Sequence, residues 1–441
     1  MQKTGKYLES PRDPILWGEG DMGSPVVRGG AVYPKANSRV SLQWLTACEE
    51  ERALTLDLLD KIVEPSNLVT AMRRVVSNGG SAGVDGMTVA QLKAWFNHNW
   101  QRLQSSLLEG SYHPQGVRGI RIPKPKGGYR QLGIPTVKDR LVQQAISQVL
   151  SKRYELIFSE HSYGFRSGRN AHRALQKAGG YVAEGFKYVV DLDLEKFFDK
   201  VNHDRLMWLL GTRIGDKRVL SLIGKFLRSG IMQDGLMSQR LQGTPQGSPL
   251  SPLLSNIVLD ELDKELETRG HRFVRYADDA IILVRSEEAA KRVERSITYF
   301  IENRLKLKVN RDKSKICQPR ELNFLGHYIQ QDGGLGISQM SITRFKQKLR
   351  RLTRRNKGIS LEQLIQGLNP VLRGWLNYYR LARMKKSLRN LEAWLRRKIR
   401  CFRLKQCKRA IGIVRFLRSR GLIEWQCWII ALSGKGWFRM S

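Results

Sequence analysis

Apolar residues along this chain change period several times, and each change marks an element. Leu54–Ile62 and Leu68–Val76 carry them at helical spacing and predict two short helices. The stretch 78–86, NGGSAGVDG, is turn-rich. Val117–Pro135 alternates on both sides of Lys126-Gly127-Gly128, which predicts a β-hairpin with a basic tip. KYVVDLDL, residues 187–194, predicts a strand. Ser251-Pro252 has the chemistry of a helix start, with Ser as N-cap and Pro at the first helical position. Leu250, Leu254, Ile257, Leu262 and Leu266 recur at roughly helical spacing there. HRFVRYADDAIILV, residues 271–284, predicts two strands about a tight turn at the aspartates. Ser286–Asn303 predicts a helix with Val293, Ile297, Phe300 and Ile301 on one face, and Leu305–Val309 alternates as a strand. Strand, helix, hairpin, helix, strand is the order of the ferredoxin-like split βαβ plan. Past Ile337 three stripes predict a helical bundle. They are Ile342, Phe345, Leu349 and Leu352; Leu372, Trp375, Leu376 and Tyr379; and Leu388, Leu391, Leu395 and Phe402. The fold class expected is therefore α+β with a helical C-terminal region.

Charge adds a partner to this picture. The chain of 441 residues holds 77 Lys+Arg against 40 Asp+Glu, a net +37. Residues 341–441 alone hold 27 Lys+Arg and 3 acids. Such an excess points to a polyanion, most simply nucleic acid. No apolar run approaches the roughly 18 residues of a membrane span, so no membrane partner is expected. The opening MQKTGKYLESPRDPILW lacks the apolar core of a secretory signal. Five cysteines form no CxxC pair and read as free cytosolic thiols rather than a zinc module. Residues 11–34 hold nine Gly or Pro and read as part of a loose N-terminal extension.

The acids carry the candidate chemistry. In the βαββαβ plan, Asp191-Leu192-Asp193 ends the first strand and Asp278-Asp279 sits in the turn of the neighbouring hairpin. A carboxylate taken out of water without a partner is costly, and converging carboxylates repel unless a cation lies between them. Mg²⁺ suits a few carboxylates plus substrate phosphates. Two such ions about 4 Å apart can activate a 3′-hydroxyl and stabilise a leaving pyrophosphate. On spacing alone, a turn with two solvated acids is the plain alternative. Period two places Asp191 and Asp193 on one face and does not choose between them, whereas adjacent Asp278 and Asp279 face opposite ways unless the turn bends them together.

Seven phrases in order give the chain a resemblance. RYADDAIILV resembles the YxDD box of reverse transcriptases, and DLDLEKFFDKVNHDRL their first acidic motif as worded in group II intron-encoded proteins. GTPQGSPLSPLLSN (243–256), FSEHSYGFRSGRNAHRAL (158–175), LKLKVNRDKSKI (305–316) and FLGHYI (324–329) are similar to further motifs of that group. LNPVLRGWLNYYRLA (368–382) is similar to its maturase-specific region. The resemblance implies a right-hand polymerase with fingers over 54–186 and a ferredoxin-like palm over 187–336. An α-helical thumb/maturase domain follows over 337–405. Residues 1–53 remain as the extension, and 406–441 as a short basic segment, a truncated DNA-binding region.

Roles follow from the resemblance at matching positions. Because the family's ligand aspartate precedes an aromatic by five residues, Asp193 is the implied ligand and Phe198 the implied gate against a 2′-hydroxyl. Asp278 and the backbone carbonyl of Leu194 complete the implied metal set for two Mg²⁺ ions, with Mn²⁺ as a substitute, and Asp279 is the third catalytic acid. Lys124, Arg130, Gln246, Gly247 and Lys313 are implied nucleotide contacts. Phe324, Leu325 and Gly326 are implied to hold the primer end. Arg350, Arg351, Arg354, Arg355, Arg373, Lys385, Lys386, Arg396 and Arg397 are candidate RNA contacts. Ser167 stands where relatives usually have Pro, and SGKGWFRMS ends the chain where relatives continue, with no HNH endonuclease. Priming is therefore expected from another source, such as a nascent strand or a single-stranded target.

The expected activity is RNA-directed DNA synthesis, with a maturase role in splicing and intron mobility. Expected partners are group II intron RNA, an RNA template with a DNA primer, dNTPs and target DNA, in the bacterial cytoplasm. A host-adopted reverse transcriptase in repair or defence, and a maturase that only assists splicing, are the alternatives. Oligomeric state has no signature in the sequence.

Overall fold

The computed structural model describes residues 56–123, 127–233, 236–238, 242–244 and 247–433. The sequence-predicted extension 1–53, hairpin tip Lys126 and C-terminal phrase GKGWFRMS lie outside them. The chain packs as two units. One comprises Met1–Asn170 with Lys196–Glu261, and the other Ala171–Glu195 with Leu262–Ser441.

In the first unit the expected hairpin forms. Strand β1 (Val117–Pro123) pairs antiparallel with β2 (Tyr129–Ile134), with Ile122 opposite Arg130. Beyond β2 in sequence, the Tyr188–Leu192 strand (β3) belongs to the other unit. The first unit's sheet continues through Ile231–Gln233 (β4) and Leu236–Ser238 (β5), in the order β2-β1-β4-β5. Beside the sheet, helices Leu58–Val63 and Pro65–Asn78 agree with the two predicted ones. Helix Val137–Tyr154 has no clean polar face. Leu141, Val142, Ile146 and Leu150 are buried, and so are Asp139, Arg140, Gln143 and Gln144. Buried polar groups need partners, and these have them. Asp139 accepts from the Tyr112 hydroxyl at 2.8 Å and from Thr136 Oγ1 at 2.7 Å. Arg140 donates to the Ser81 carbonyl at 2.5 Å and so fixes the turn-rich stretch 78–86.

The second unit is built on a sheet of order β6-β7-β3-β8, where β6 is Arg272–Tyr276, β7 Asp279–Val284 and β8 Lys315–Cys317. All its pairings are antiparallel. This is the strand order of the ferredoxin-like plan. Helix Glu287–Asn303 covers it through Ala290, Val293, Ile297 and Ile301, with the Ser286 hydroxyl accepting from the Ala289 amide. Phe300, expected on that face, is only half-buried.

One predicted strand is corrected. Leu305, Leu307 and Val309 are buried, as their alternation implies. Yet Lys306 takes a positive φ, and only an isolated bridge between Val309 and Leu194 forms. The edge position goes to β8, ten residues further on, which makes a three-pair ladder with β3. Alternation reports burial here, not backbone pairing.

Strands β9 (His327–Ile329) and β10 (Leu335–Ile337) form a separate hairpin. Helices Gln339–Leu352, Leu361–Tyr378 and Lys385–Gln406 then share a core of Phe345, Leu349, Leu364, Leu368, Leu391, Leu395 and Phe402. The Phe345 and Trp375 rings stack at 4.3 Å. Leu376 departs from its predicted stripe and is 41% exposed, because it turns off the face that Leu368, Leu372 and Trp375 present. Among the described residues no helix is long and apolar enough to cross a membrane, and Cys317, Cys401, Cys407 and Cys427 are free thiols.

Two polar groups hold this unit's interior. Arg275 on β6 is 1% exposed and forks onto Asp263 of helix Ser251–Thr268, with Nε at 2.7 Å and Nη2 at 2.5 Å from the carboxylate. Its Nη1 also donates to the Ala277 carbonyl at 2.9 Å. His327 is fully buried against Tyr378 and Tyr379. Its Nδ1 donates to the Leu325 carbonyl, while Nε2 finds no partner among the described residues. Burial pushes the imidazole down to about 4, with His172 adding to the effect and the Leu325 bond opposing it.

Removing one half of a buried ion pair strands the other. Arg275→Met is expected to destabilise the fold by about 3–5 kcal/mol, and adding Asp263→Leu to recover much of that loss in urea unfolding. A double variant no more stable than the single one would exclude the pair as the cause. His327 must enter the interior neutral. Its contribution is therefore complete above pH 6.5 and lost as pH falls towards about 4. Between those limits the native protein should lose on the order of 3 kcal/mol that His327→Gln does not lose. Parallel stability–pH curves for the two proteins would rule this out.

Candidate active site

Tyr276 pairs with Asp279, so Ala277 and Asp278 form the two-residue turn of the β6–β7 hairpin. Ala277 adopts φ +57°, the left-handed conformation that such tight turns require. The bond from Arg275 to its carbonyl holds that conformation from inside the unit. Asp278 is half-buried in the turn, and Asp279 is the first residue of β7.

Strand β3 runs antiparallel to β7 with Leu192 opposite Ala280, which carries Asp193 to the strand end alongside Asp279. The loop 310–314 grips Asp193 from the other side. Its amide donates to Ser314 Oγ at 3.0 Å, and its carbonyl accepts from the Asn310 amide at 2.8 Å. Its carboxylate Oδ2 accepts from Asn310 Nδ2 at 3.0 Å and from Lys313 Nζ at 2.9 Å. Leu194 is buried, bridged to Val309.

The electrostatics follow from the crowding. Asp279 keeps a solvent-exposed edge, but neighbouring atoms displace most of the water around its carboxyl. That desolvation, with the charges of Asp278, Asp193 and Asp191 added, raises it to about 7 against the pull of Lys313. Asp191 is raised to about 6, again by burial first, with Lys315 opposing and Asp193 adding. Four acids thus feel one another at one end of the sheet. The donors that could hold a divalent ion there are the Asp193 and Asp278 carboxylates and the Leu194 carbonyl. Among the described residues no three Asp, Glu, His or Cys side chains form a ligand cluster. Two carboxylates and a carbonyl are hard oxygen donors, few enough to suit an ion that keeps water and phosphate ligands.

The first unit holds other predicted residues. Phe198 lies on the short helix Phe197–Lys200, half-buried and edge-on to Phe197. Its carbonyl accepts from the Thr244 amide at 2.6 Å. A Cβ on Gly243, at φ +87°, would stand 2.7 Å from the Asp199 carbonyl, so only glycine permits this approach. Gly247, at φ +111°, abuts the Gly133 carbonyl of β2 in the same way, 3.0 Å from where its Cβ would be. The unit therefore brings the Phe198 turn, the 243–256 phrase and the β1–β2 hairpin together. Arg130 is exposed on that hairpin. Lys124 and Gln246 fall outside the described residues.

In the second unit, Phe324 is buried, and Leu325 and Gly326 take positive φ values of 49° and 77°. The Leu325 carbonyl accepts from the Tyr378 hydroxyl at 3.0 Å. The Gly326 carbonyl accepts from the Ser338 amide at 3.0 Å and the Ser341 hydroxyl at 3.1 Å. A Cβ on Gly326 would lie 2.6 Å from Tyr379 Oη. The nine candidate RNA-contact residues from Arg350 to Arg397 are all exposed. Arg350, Lys346 and Lys398 surround the Trp394 ring. Reading the sequence missed Arg275, Asn310, Ser314, Tyr378 and His327, which position the acids and the 324–326 turn. A buried arginine three residues before a paired-acid turn is the signal that was there to be found.

Comparison with known proteins identifies the family. Residues 122–329 match the family of reverse transcriptases (RNA-dependent DNA polymerases), and residues 342–420 the group II intron maturase-specific domain. Protein YkfC of Escherichia coli (strain K12) is 32% identical over 311 residues, which are 61% of this chain and 82% of YkfC. The group II intron-encoded protein LtrA of Lactococcus lactis subsp. cremoris is 29% identical over 335 residues, 61% of this chain and 56% of LtrA. The chain thus spans little more than half of LtrA. A solved partial Cas6-RT-Cas1–Cas2 complex aligns over 56% of this chain and 42% of its own, at 28% identity and a TM-score of 0.36. By the two family matches and the likeness to YkfC, the chain belongs to the group II intron reverse transcriptase/maturase family.

Proposed function

We propose that this protein copies group II intron RNA into DNA from a DNA primer and binds that RNA to assist its splicing and mobility. The observation that carries the reading is the meeting of Asp193 with the Asp278–Asp279 turn at one end of the β6-β7-β3-β8 sheet. Surrounding contacts hold both backbone segments in place.

In this reading Asp193, Asp278 and the Leu194 carbonyl would hold Mg²⁺, which would make the primer 3′-hydroxyl more acidic and neutralise charge on the triphosphate. The chain's residues do the rest. Desolvation and the neighbouring acids raise the Asp279 carboxyl, and a bound Mg²⁺ would oppose that rise. Lys313 balances Asp193 until a substrate arrives, and its exposed stem lets the ammonium swing to the pyrophosphate. Arg130, with Lys124, offers charged donors to the triphosphate. The Phe198 ring excludes a 2′-hydroxyl by its bulk, and Gly247 lets the backbone approach the nucleotide closely. Phe324, Leu325 and Gly326 seat the primer end. The exposed Arg and Lys on the helices after Ile337 contact RNA phosphates, so binding weakens steeply with salt.

Primer extension on an RNA template tests the assignment. Asp278→Ala should lower Mg²⁺-dependent extension by more than about a hundredfold, because losing a ligand exceeds the usual loss for its supports. RNA affinity should stay within about twofold, since the phosphate contacts lie elsewhere. Full extension by this variant would remove the turn from catalysis. Phe198→Val should raise the kcat/KM for rNTPs relative to dNTPs by about tenfold or more, the scale of a filled or emptied pocket. An unchanged ratio would remove the gate.

A further inference from the structure

Among the described residues six non-glycines adopt positive φ: Phe165, Lys196, Ala277, Lys306, Leu325 and Lys408. Ala277 and Leu325 belong to segments with roles assigned above. Phe165, at φ +58°, is the bulkiest of the six and has none. A bulky side chain is disfavoured there, and such conformations persist only where the surroundings enforce them.

The surroundings of Phe165 do enforce it. Gly164 and Arg166, on either side, are buried. Asn256 Nδ2, from the last residue of the 243–256 phrase, donates to the Gly164 carbonyl at 2.9 Å. The Arg166 side chain is 1% exposed. Its guanidinium donates to the Glu155 carboxylate at 2.8 Å, to the Ser162 carbonyl at 3.0 Å and to the Ser159 carbonyl. It also lies 5.3 Å from the Phe158 ring. Two anchored neighbours thus thrust the residue between them outward. Phe165 remains 51% exposed, so burial does not repay the strain.

Its surface is that of a single ring. Within the loop 159–170 it is the one exposed apolar side chain, followed in sequence by exposed Ser167 and Gly168 and partly buried Arg169. A protein partner would need a patch of roughly 800 Å² per side. One planar base needs only one ring face, and aromatic platforms with nearby cations are how unpaired bases are held. The charge of +37 draws the accompanying phosphates.

We propose that Phe165 is a stacking platform for an unpaired nucleobase of the RNA template, held outward by Arg166 and Asn256. The proposal rests on the RNA-copying reading above and names one more of its template contacts. Its test reads binding alone, without divalent ion or nucleotide. The probes are a labelled purine-rich single-stranded RNA and a blunt RNA–DNA hybrid, followed by fluorescence anisotropy. Glycine accepts this backbone freely, so Phe165→Gly should melt at or above the native temperature. It should nonetheless bind the single strand about ten- to a hundredfold more weakly and the blunt hybrid within about twofold. Phe165→Trp should keep native affinity for the single strand. Unchanged single-strand affinity in Phe165→Gly, equal loss for both probes, a lowered melting temperature, or failure of Phe165→Trp to bind would each overturn the proposal. Failure of the polymerase reading would look different: native protein that binds RNA but extends no primer.

Discussion

A fully buried arginine governs the second unit. A guanidinium taken out of water needs a matching charge where it lies. Asp263 supplies the match in a two-pronged fork. That single requirement fixes the helix end that starts at Leu262 against β6. Another N–H of the same guanidinium donates to the Ala277 carbonyl. A turn that would otherwise be free to relax is thereby set by the core. Packing alone, which is non-directional, could not specify the turn's conformation this closely.

The same economy appears around Asp193. Its backbone and carboxylate are both engaged by 310–314, a loop whose own path is bent by the positive φ of Lys306. Burial, with their mutual repulsion added, raises the Asp279 and Asp191 carboxyls. Lys313 and Lys315 hold the opposing charge nearby.

Most of the second unit was legible because one face of each element meets a core and the other meets water. Val293, Ile297 and Ile301 obey that rule, as do the stripes through Phe345 and Leu391. Where the rule fails, the reading fails. Helix Val137–Tyr154 is enclosed nearly all round, so its Gln and Asp residues hide the period. Leu305–Val309 satisfies the strand pattern while its backbone turns away, since burial and ladder pairing are separate demands. The aspartates could be found by type and order. Asn310 and Ser314, which hold Asp193, could not, because they act through distances that only the folded chain defines.

Strand β3 has one further consequence, in time rather than in space. Its partners, β7 and β8, lie beyond Asp279 and Lys315, with Lys196–Glu261 intervening. During synthesis YVVDL must wait several seconds for them. A waiting apolar strand with both edges open invites the wrong partner. In that interval Asp191 stands in water and is fully ionised, a charge in the middle of the run that discourages stacking with other chains. Only when β7 and β8 close over it does burial raise its carboxyl to about 6. The residue that weakens the finished sheet protects the unfinished one.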